Sequence, residues 1–204
     1  QAFFLNAGIV FDANEVQEHI EEHAVPHSAA LLARVRETQS PYFTGALARV
    51  NASWQNLGQN AKVAAAKAGL RPPEANPFMN NVAQAVEIVD ALDRCADLCR
   101  KLAEPGAIAS SSLPVPFEVK AGRAVGFTEA PRGALFHDLT LDAEGRVTHA
   151  SILTPTAQNV ANLEADMRLL AEKLVADGAA EDVVRLEIEK LVRAYDPCLS
   201  CSVH

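Results

Sequence analysis

The chain has 204 residues, of which 49% are hydrophobic and 22% are charged, a balance that excludes an intrinsically disordered protein. Its 18 Lys and Arg residues against 26 Asp and Glu give a net charge of −8, which excludes the basic surface that nucleic-acid binding requires. No run approaches about 18 consecutive apolar residues, so no membrane-spanning helix is expected. The length corresponds to about one to one and a half domains with a mostly aliphatic core.

The first half of the sequence is predicted to be mainly helical. Helical periodicity and capping residues predict four helices there, over residues 15–24, 29–36, 44–70 and 77–102. Asn14 is a suitable N-cap for the first of these helices, and Pro26 follows its end. Asn76 before Pro77 is typical of an N-cap with proline at the first helical position. We therefore expect residues 1–105 to be helical for the most part.

The middle of the sequence has the pattern of β-structure. Apolar and polar residues alternate over residues 115–119, which predicts a strand. Residues 134–141 and 147–153 have the same character and are joined by a short turn with Asp, Glu and Gly over residues 142–145. This arrangement predicts a β-hairpin. The β-rich segment is expected to cover residues 113–155.

Two further helices are predicted over residues 157–177 and 181–194, separated by Gly178. Pro197 ends the second helix and brings a CxxC directly after it. Residues 156–204 are therefore expected to be helices that end in a metal-binding CxxC. Taken together, the predicted elements give a mainly α protein with a small β-hairpin or sheet, an α+β fold.

Three histidines, His19, His23 and His27, are spaced by four residues within the first predicted helix and beyond it. Residues four apart share a helix face, so His19 and His23 would be able to chelate a metal ion. An HExxH site needs Glu directly after the first His, and Ile20 stands there instead. Glutamates surround these histidines, and a solvated acidic face is the favoured interpretation.

The four cysteines form two pairs, Cys95 with Cys99 and Cys198 with Cys201. The first pair lies on a predicted long helix, where buried cysteines usually act as small hydrophobic residues. One alternative is that both pairs form a four-thiolate zinc site of a small interaction domain.

The CxxC of Cys198 and Cys201 brings two sulfurs towards one point, where two thiolates bind soft or borderline metals well. A redox CxxC of the thioredoxin type is expected early in a βαβ unit, and this one follows a helix. Asp196 and His204 add a carboxylate and an imidazole to the same few residues, and both suit a supporting role around a metal. Two thiolates alone leave such a metal short of ligands.

The ending DPCLSCSVH, residues 196–204, resembles DPCxxCxxH, the C-terminal signature of the large subunit of nickel–iron hydrogenases. Collinear segments that resemble the same family are VPHS at 25–28, YFTGALARVN at 42–51, EAPRG at 129–133 and TPTAQN at 154–159. The family subunit is cut after the final His once nickel is in place, so the resemblance implies a matured product. The family's N-terminal RxCGxC is not in this sequence. The resemblance therefore implies a C-terminal portion that needs an N-terminal partner piece.

The resemblance also implies roles for individual residues at a nickel–iron centre with CO and CN ligands. Cys198 would be a terminal nickel ligand and an early proton acceptor, and Cys201 would bridge nickel and iron. Arg132 would lie over the open metal position, paired with Asp196. Pro131, the Arg132 backbone and the hydroxyl of Thr156 would contact the cyanides.

A second metal site is implied near the end of the chain. There His204 and the carbonyl of Ile152 would bind a magnesium or similar divalent ion. Each assignment has a plain structural alternative: Arg132 as a surface turn residue, Asp196 as a helix terminator, Thr156 as an N-cap and His204 as a frayed tail.

The function that the resemblance implies is reversible oxidation of H₂ to protons and electrons. Electrons would pass to an iron–sulfur small subunit and, through diaphorase-type subunits, to NAD(P). The chain begins at Gln1 without a signal-peptide pattern, and the resemblance is to soluble bidirectional members, so a cytoplasmic complex is expected. The alternatives are a metal-free structural relative with the same fold and the zinc-binding interaction domain.

Overall fold

The computed structural model describes residues 2–4, 10–104 and 116–203. Among these residues it contains seven strands and six α-helices, with short 3₁₀ turns between some of them. The strands are β1 (Ala2–Phe4), β2 (Val10–Asp12), β3 (Ile20–Val25), β4 (Ser28–Val35), β5 (Gly122–Ala130), β6 (Gly133–Leu141) and β7 (Val147–Leu153). The helices are α1 (Val16–His19), α2 (Ala46–Ser53), α3 (Gln59–Lys67), α4 (Asn80–Leu102), α5 (Pro155–Ala176) and α6 (Glu181–Tyr195).

The prediction of helices over residues 15–24 and 29–36 is wrong. Only α1 is helical there, and β3 and β4 form an antiparallel hairpin in which Ile20 pairs with Val35. Both faces of β4 are covered: Val35 packs in one core cluster, and Leu32 packs in another with residues of α5. A strand buried on both faces is apolar without strict alternation, and this Ala- and Leu-rich segment therefore has a pattern that also fits a helix.

The helix predicted over residues 44–70 is divided into α2 and α3. Gly58 has an extended conformation (ψ 160°) and precedes α3. Its N–H donates to Asp90 Oδ1 at 2.7 Å, and this bond fixes the break between α2 and α3 on the long helix α4. The start of α4 agrees with the prediction, because Asn76 Oδ1 accepts from the Phe78 N–H at 3.1 Å and Pro77 begins the short 3₁₀ turn that leads into it.

The predicted hairpin is confirmed, and it is part of a three-stranded antiparallel sheet in the order β5-β6-β7. The strand predicted over residues 115–119 is wrong. Val115 lies outside the described residues, and residues 116–120 are irregular and exposed. The partner of β6 is β5 instead, and it pairs from Gly122 with Leu141 to Ala130 with Gly133. The turn between these two strands therefore contains Pro131 and Arg132.

The two C-terminal helices are confirmed close to their predicted bounds. Thr154 caps α5 by accepting the Ala157 N–H at Oγ1 (3.3 Å), and Pro155 occupies the first turn. The helix α5 packs against β4 on one side and against α6 on the other. The observed fold is mainly helical with small antiparallel sheets, which confirms the predicted fold class. Within the described part of the chain, no helix combines the length and the apolar character that crossing a membrane requires.

Candidate metal centre

Arg132 and Asp196 are brought together although they are 64 residues apart in the sequence. Arg132 lies in the β5–β6 turn and Asp196 directly follows α6. The Arg132 Nε–H donates to the Asp196 main-chain oxygen at 2.6 Å, and Nη2 donates to Oδ1 at 3.1 Å. Asp196 is left-handed (φ 50°), so it both terminates α6 and accepts the guanidinium. An arginine fixed in this way presents a permanent positive charge beside the CxxC.

Thr156 is a second connection between the sequence-predicted residues. Its side chain is buried in the first turn of α5, and its Oγ1 accepts the Cys198 N–H at 3.1 Å. The N-cap of α5 is Thr154, so the interpretation of Thr156 as the N-cap is wrong. A hydroxyl that accepts one bond still has its own proton to donate.

The CxxC forms a tight turn against the body of the protein. Cys198 and Cys201 are joined as a disulfide, with their Cα atoms 5.4 Å apart. The following residue, Ser202, is fully buried, and its carbonyl accepts the Leu31 N–H of β4 at 2.9 Å. The hairpin that the sequence did not predict therefore holds the end of the CxxC turn, while α5 holds its start.

The β5–β6 turn approaches residues 44–45 so closely that two glycines are required. Gly133 has φ +137°, and a Cβ there would lie 2.7 Å from Thr44 Oγ1. Gly45 has φ +134°, and a Cβ there would lie 3.1 Å from the Arg132 carbonyl oxygen. L-residues rarely adopt either conformation. These positions let the chain carrying Arg132 lie directly on the start of α2.

Asn159 joins three segments at this point. Its Oδ1 accepts the Thr44 N–H at 2.8 Å, and its Nδ2 donates to the carbonyls of Thr44 (2.9 Å) and Arg132 (3.2 Å). The next residue towards the N-terminus, Gln158, donates to the Ala134 carbonyl at 2.6 Å. Both amides are buried. The sequence placed them in a family-like segment, but only the fold shows which backbone groups they satisfy.

A cleft of about 490 Å³ opens beside the turn, next to Asp196 and residues 129–131. Arg49 of α2 and Glu87 of α4 line it, and Ile88 adds an apolar wall. The Arg49 guanidinium is partly buried, which lowers its pKa, but hydrogen bonds and the charge of Glu87 raise the pKa by more than this. The net pKa is raised, so Arg49 stays charged.

Tyr195, the last residue of α6, is anchored from the other side of the helix end. Its hydroxyl donates to Asp166 Oδ2 and accepts from Asn162 Nδ2, both at 2.5 Å. Burial, followed by the bond to Asp166, raises the pKa of Tyr195 well above its usual value. The phenol stays neutral, and it fixes α6 on α5 immediately before Asp196.

The donor set fits half of a thiolate-bound metal centre. In their reduced form, Cys198 and Cys201 would offer two adjacent thiolates, which suit a soft or borderline metal. Within the described ranges, no group of three or more His, Cys, Asp or Glu side chains is placed to hold a metal ion. Two thiolates supply only part of the coordination that such a metal takes.

The other sequence-based candidates are dispersed. Cys95 and Cys99 are exposed free thiols on α4, so the expectation that they are buried as small hydrophobic residues is wrong. The described residues do not bring them together with the CxxC as the four-thiolate zinc site requires. Ile152 lies in β7, paired with His137, and His204 lies outside the described residues. The magnesium site therefore stays a prediction.

The three spaced histidines do not share a helix face. The helix predicted to carry them is replaced by α1 and the β3–β4 hairpin, and each imidazole pairs with a different carboxylate. The pairs are His19 with Glu37, His23 with Glu21 and His27 with Glu164.

Comparison with known proteins shows the family of the chain. The protein-family model described as nickel-dependent hydrogenase matches residues 36–204. The chain is 39% identical over 204 residues to sulfhydrogenase 1 subunit alpha of Pyrococcus furiosus, covering 97% of this chain and 44% of that one. It is 35% identical over 127 residues to the beta subunit of the NAD-reducing hydrogenase HoxS of Cupriavidus necator, covering 61% and 25% respectively. The chain belongs to the nickel-dependent hydrogenase family.

Solved structures show the same fold. An NAD⁺-reducing [NiFe]-hydrogenase in its H₂-reduced state matches with a TM-score of 0.74 at 23% identity, over 95% of this chain and 43% of that one. A reduced, active Ni-Fe-Se hydrogenase from Desulfomicrobium baculatum matches with a TM-score of 0.61 at 21% identity, over 100% and 47%. The chain spans less than half the length of these relatives.

Proposed function

We propose that the chain is the C-terminal portion of a nickel–iron hydrogenase large subunit and takes part in the reversible oxidation of H₂ to protons and electrons. The observation that carries the proposal is the pairing of Arg132 with Asp196 at the start of the CxxC, with Thr156 bonded to Cys198. Family membership over residues 36–204 supports this assignment of the site.

Cys198 and Cys201 would supply two thiolate ligands, and an N-terminal piece of the subunit would supply the others. When bound, the nickel–iron centre with its CO and CN ligands would supply the redox chemistry for the oxidation of H₂. Thiolates are fitting ligands for this purpose because they are soft and also basic enough to take up a proton.

The chain's own residues have separate tasks in this proposal. The Cys198 sulfur takes up the first proton. The Arg132 guanidinium, held by Asp196, sets a fixed positive charge facing the reacting position, where preorganised charge is most effective. Thr156 accepts the Cys198 N–H, so its hydroxyl proton is free to hydrogen-bond a cyanide. Pro131 and the Arg132 backbone would also contact the cyanides.

Electrons would leave through an iron–sulfur small subunit and pass through diaphorase-type subunits to NAD(P). Similarity to the NAD-reducing hydrogenase of Cupriavidus necator supports this acceptor class. We also propose that the complex is cytoplasmic. His204 and the Ile152 carbonyl would hold the additional divalent ion near the end of the chain.

The test is deuterium exchange between D₂ and water, which needs no electron acceptor, together with the nickel content of the assembled complex. We expect exchange in the wild type, loss of nickel and of exchange in Cys198→Ser, and little change in Cys95→Ser. Cys95→Ser is the matched control because this thiol is exposed on α4. A nickel-free wild-type complex without exchange would support a metal-free relative, and zinc lost on Cys95→Ser would support the interaction domain.

A further inference from the structure

Arg49 has an unusual set of hydrogen bonds for a residue without an assigned role. A guanidinium has five N–H donors, and all five are used here. Nε and Nη2 donate to the two oxygens of Glu87 at 2.7 Å each. Nη1 donates to Glu129 Oε2 and to the Ala130 carbonyl, both at 2.9 Å, and Nη2 also donates to the Pro131 carbonyl at 2.9 Å.

The acceptors form two groups with different locations. Glu87 belongs to α4, which anchors the guanidinium to the helical core. The carbonyls of Ala130 and Pro131 are the two that precede Arg132 in the chain. On the other side, the Arg132 carbonyl accepts from Asn159. The backbone that carries Arg132 is therefore held at three consecutive carbonyls by side chains from α2 and α5.

We propose that Arg49 is a positioning residue that fixes the β5–β6 turn, so that the Arg132 guanidinium stays on Asp196 beside Cys198. This inference rests on the function proposed above. Arg49 acts through Arg132 and does not itself contact the reacting atoms.

The geometry explains why an arginine is needed for this task. A rigid planar fork is able to bond a carboxylate with two parallel N–H groups and still reach both carbonyls. A lysine offers one flexible ammonium, which cannot reach Glu87, Glu129 and both carbonyls together. Without the guanidinium, the carbonyls of Ala130 and Pro131 lose a donor, and the carboxylates of Glu87 and Glu129 lose the positive charge that they share.

The test is a double-mutant cycle in the assembled, metal-loaded complex with Arg49→Met, Arg132→Met and the double variant. The readouts are the infrared CO and CN bands, nickel content and D₂–water exchange. Displacement of a positioned group by about 1 Å costs up to roughly 10²-fold in rate. We expect Arg49→Met to keep its nickel, to shift the bands in the same direction as Arg132→Met, and to lower exchange by about ten- to a hundredfold.

The decisive comparison is the effect of Arg49→Met in the Arg132→Met background. If Arg49 acts through Arg132, adding Arg49→Met to the Arg132→Met variant shifts no infrared band further. It also lowers the rate of D₂–water exchange by less than threefold relative to Arg132→Met alone. Additive effects on bands and rate would overturn the proposal, as would an unchanged spectrum in Arg49→Met. Arg123→Met is the matched control, because Arg123 makes an equally short pair of bonds to Asp138 (2.8 and 2.7 Å) away from the turn.

Arg49→Lys is a second variant that keeps the positive charge and is expected to show a smaller band shift in the same direction. Loss of nickel in both Arg49 variants, with nickel retained in Arg123→Met, would mean that Arg49 only supports folding and would overturn the proposal. A wild-type complex without CO and CN bands would instead overturn the proposed function, and this inference with it.

Discussion

Gly133→Ala tests whether the close approach of the β5–β6 turn to residue 44 holds the site together. The backbone at Gly133 has φ +137°, and an L-residue held in such a region costs about 1–3 kcal/mol. The new Cβ would also clash most closely with the methyl carbon of Thr44, Cγ2, and would lie 2.7 Å from Thr44 Oγ1 and 3.0 Å from Thr44 Cβ. Overpacking of this kind costs about 1–3 kcal/mol. We therefore expect a total loss of about 2–6 kcal/mol, a large part of the roughly 5–15 kcal/mol that stabilises a typical domain.

The assay is hydrogen exchange of the β5 and β6 amides in the assembled protein, read by mass spectrometry. A loss of about 2–6 kcal/mol accelerates exchange through opening by roughly 30-fold to more than 10⁴-fold. Thr44→Ser, which removes the clashing methyl group, is expected to restore part of the protection. Gly126→Ala is the control in the same hairpin, since its Cβ would meet only the His137 carbonyl oxygen at 3.9 Å. Protection in Gly133→Ala equal to that in Gly126→Ala would refute the reasoning.

Two further predictions concern buried polar contacts. The hydrogen bond from Arg123 lowers the pKa of Asp138 below its usual value of 3.8. Because the folded-state pKa is lowered, this carboxylate stabilises the fold above pH 3.8 and loses that contribution as the pH falls further. We expect the urea midpoint to fall more steeply with acid in the wild type than in Arg123→Met, and parallel curves would contradict this. Asn159→Asp keeps the acceptor for the Thr44 N–H but removes the donors to the carbonyls of Thr44 and Arg132. We expect this variant to lower the free energy of unfolding, measured with urea, by about 1–3 kcal/mol and to lower the rate of D₂–water exchange. A wild-type free energy of unfolding together with a wild-type exchange rate would show that the amide is dispensable.

The sequence predicts those elements whose local signals and tertiary surroundings agree. Asn76 and Pro77 mark the start that leads into α4, and Gly178 separates α5 from α6, because capping and left-handed turns depend on a few neighbouring residues. The β3–β4 hairpin could not be predicted in this way. Leu32 and Val35 satisfy a helix and a doubly buried strand equally well, and the choice depends on packing against α5 and the three-stranded sheet.

The candidate site likewise contains some residues that the sequence singled out and others whose role depends on tertiary contacts. The family-like motifs singled out Arg132, Thr156, Asp196 and Cys198, and the structure brings Arg132 to Asp196 and Thr156 to Cys198. Their catalytic roles stay predictions. Arg49 was part of a segment that resembles the family, but no role was predicted for it. The two carbonyls to which it donates are 81 and 82 residues away in the sequence. Only the fold makes such acceptors visible.

The most direct test of the proposed nickel–iron centre is an infrared spectrum of the intact complex purified through this chain, in the window between the main protein absorptions. The account predicts bands of metal-bound CO and CN there, and their loss when Cys198 is replaced by Ser. A blank spectrum from a complex that contains the N-terminal piece of the subunit would contradict the account, because the ligands that define the centre would then be missing.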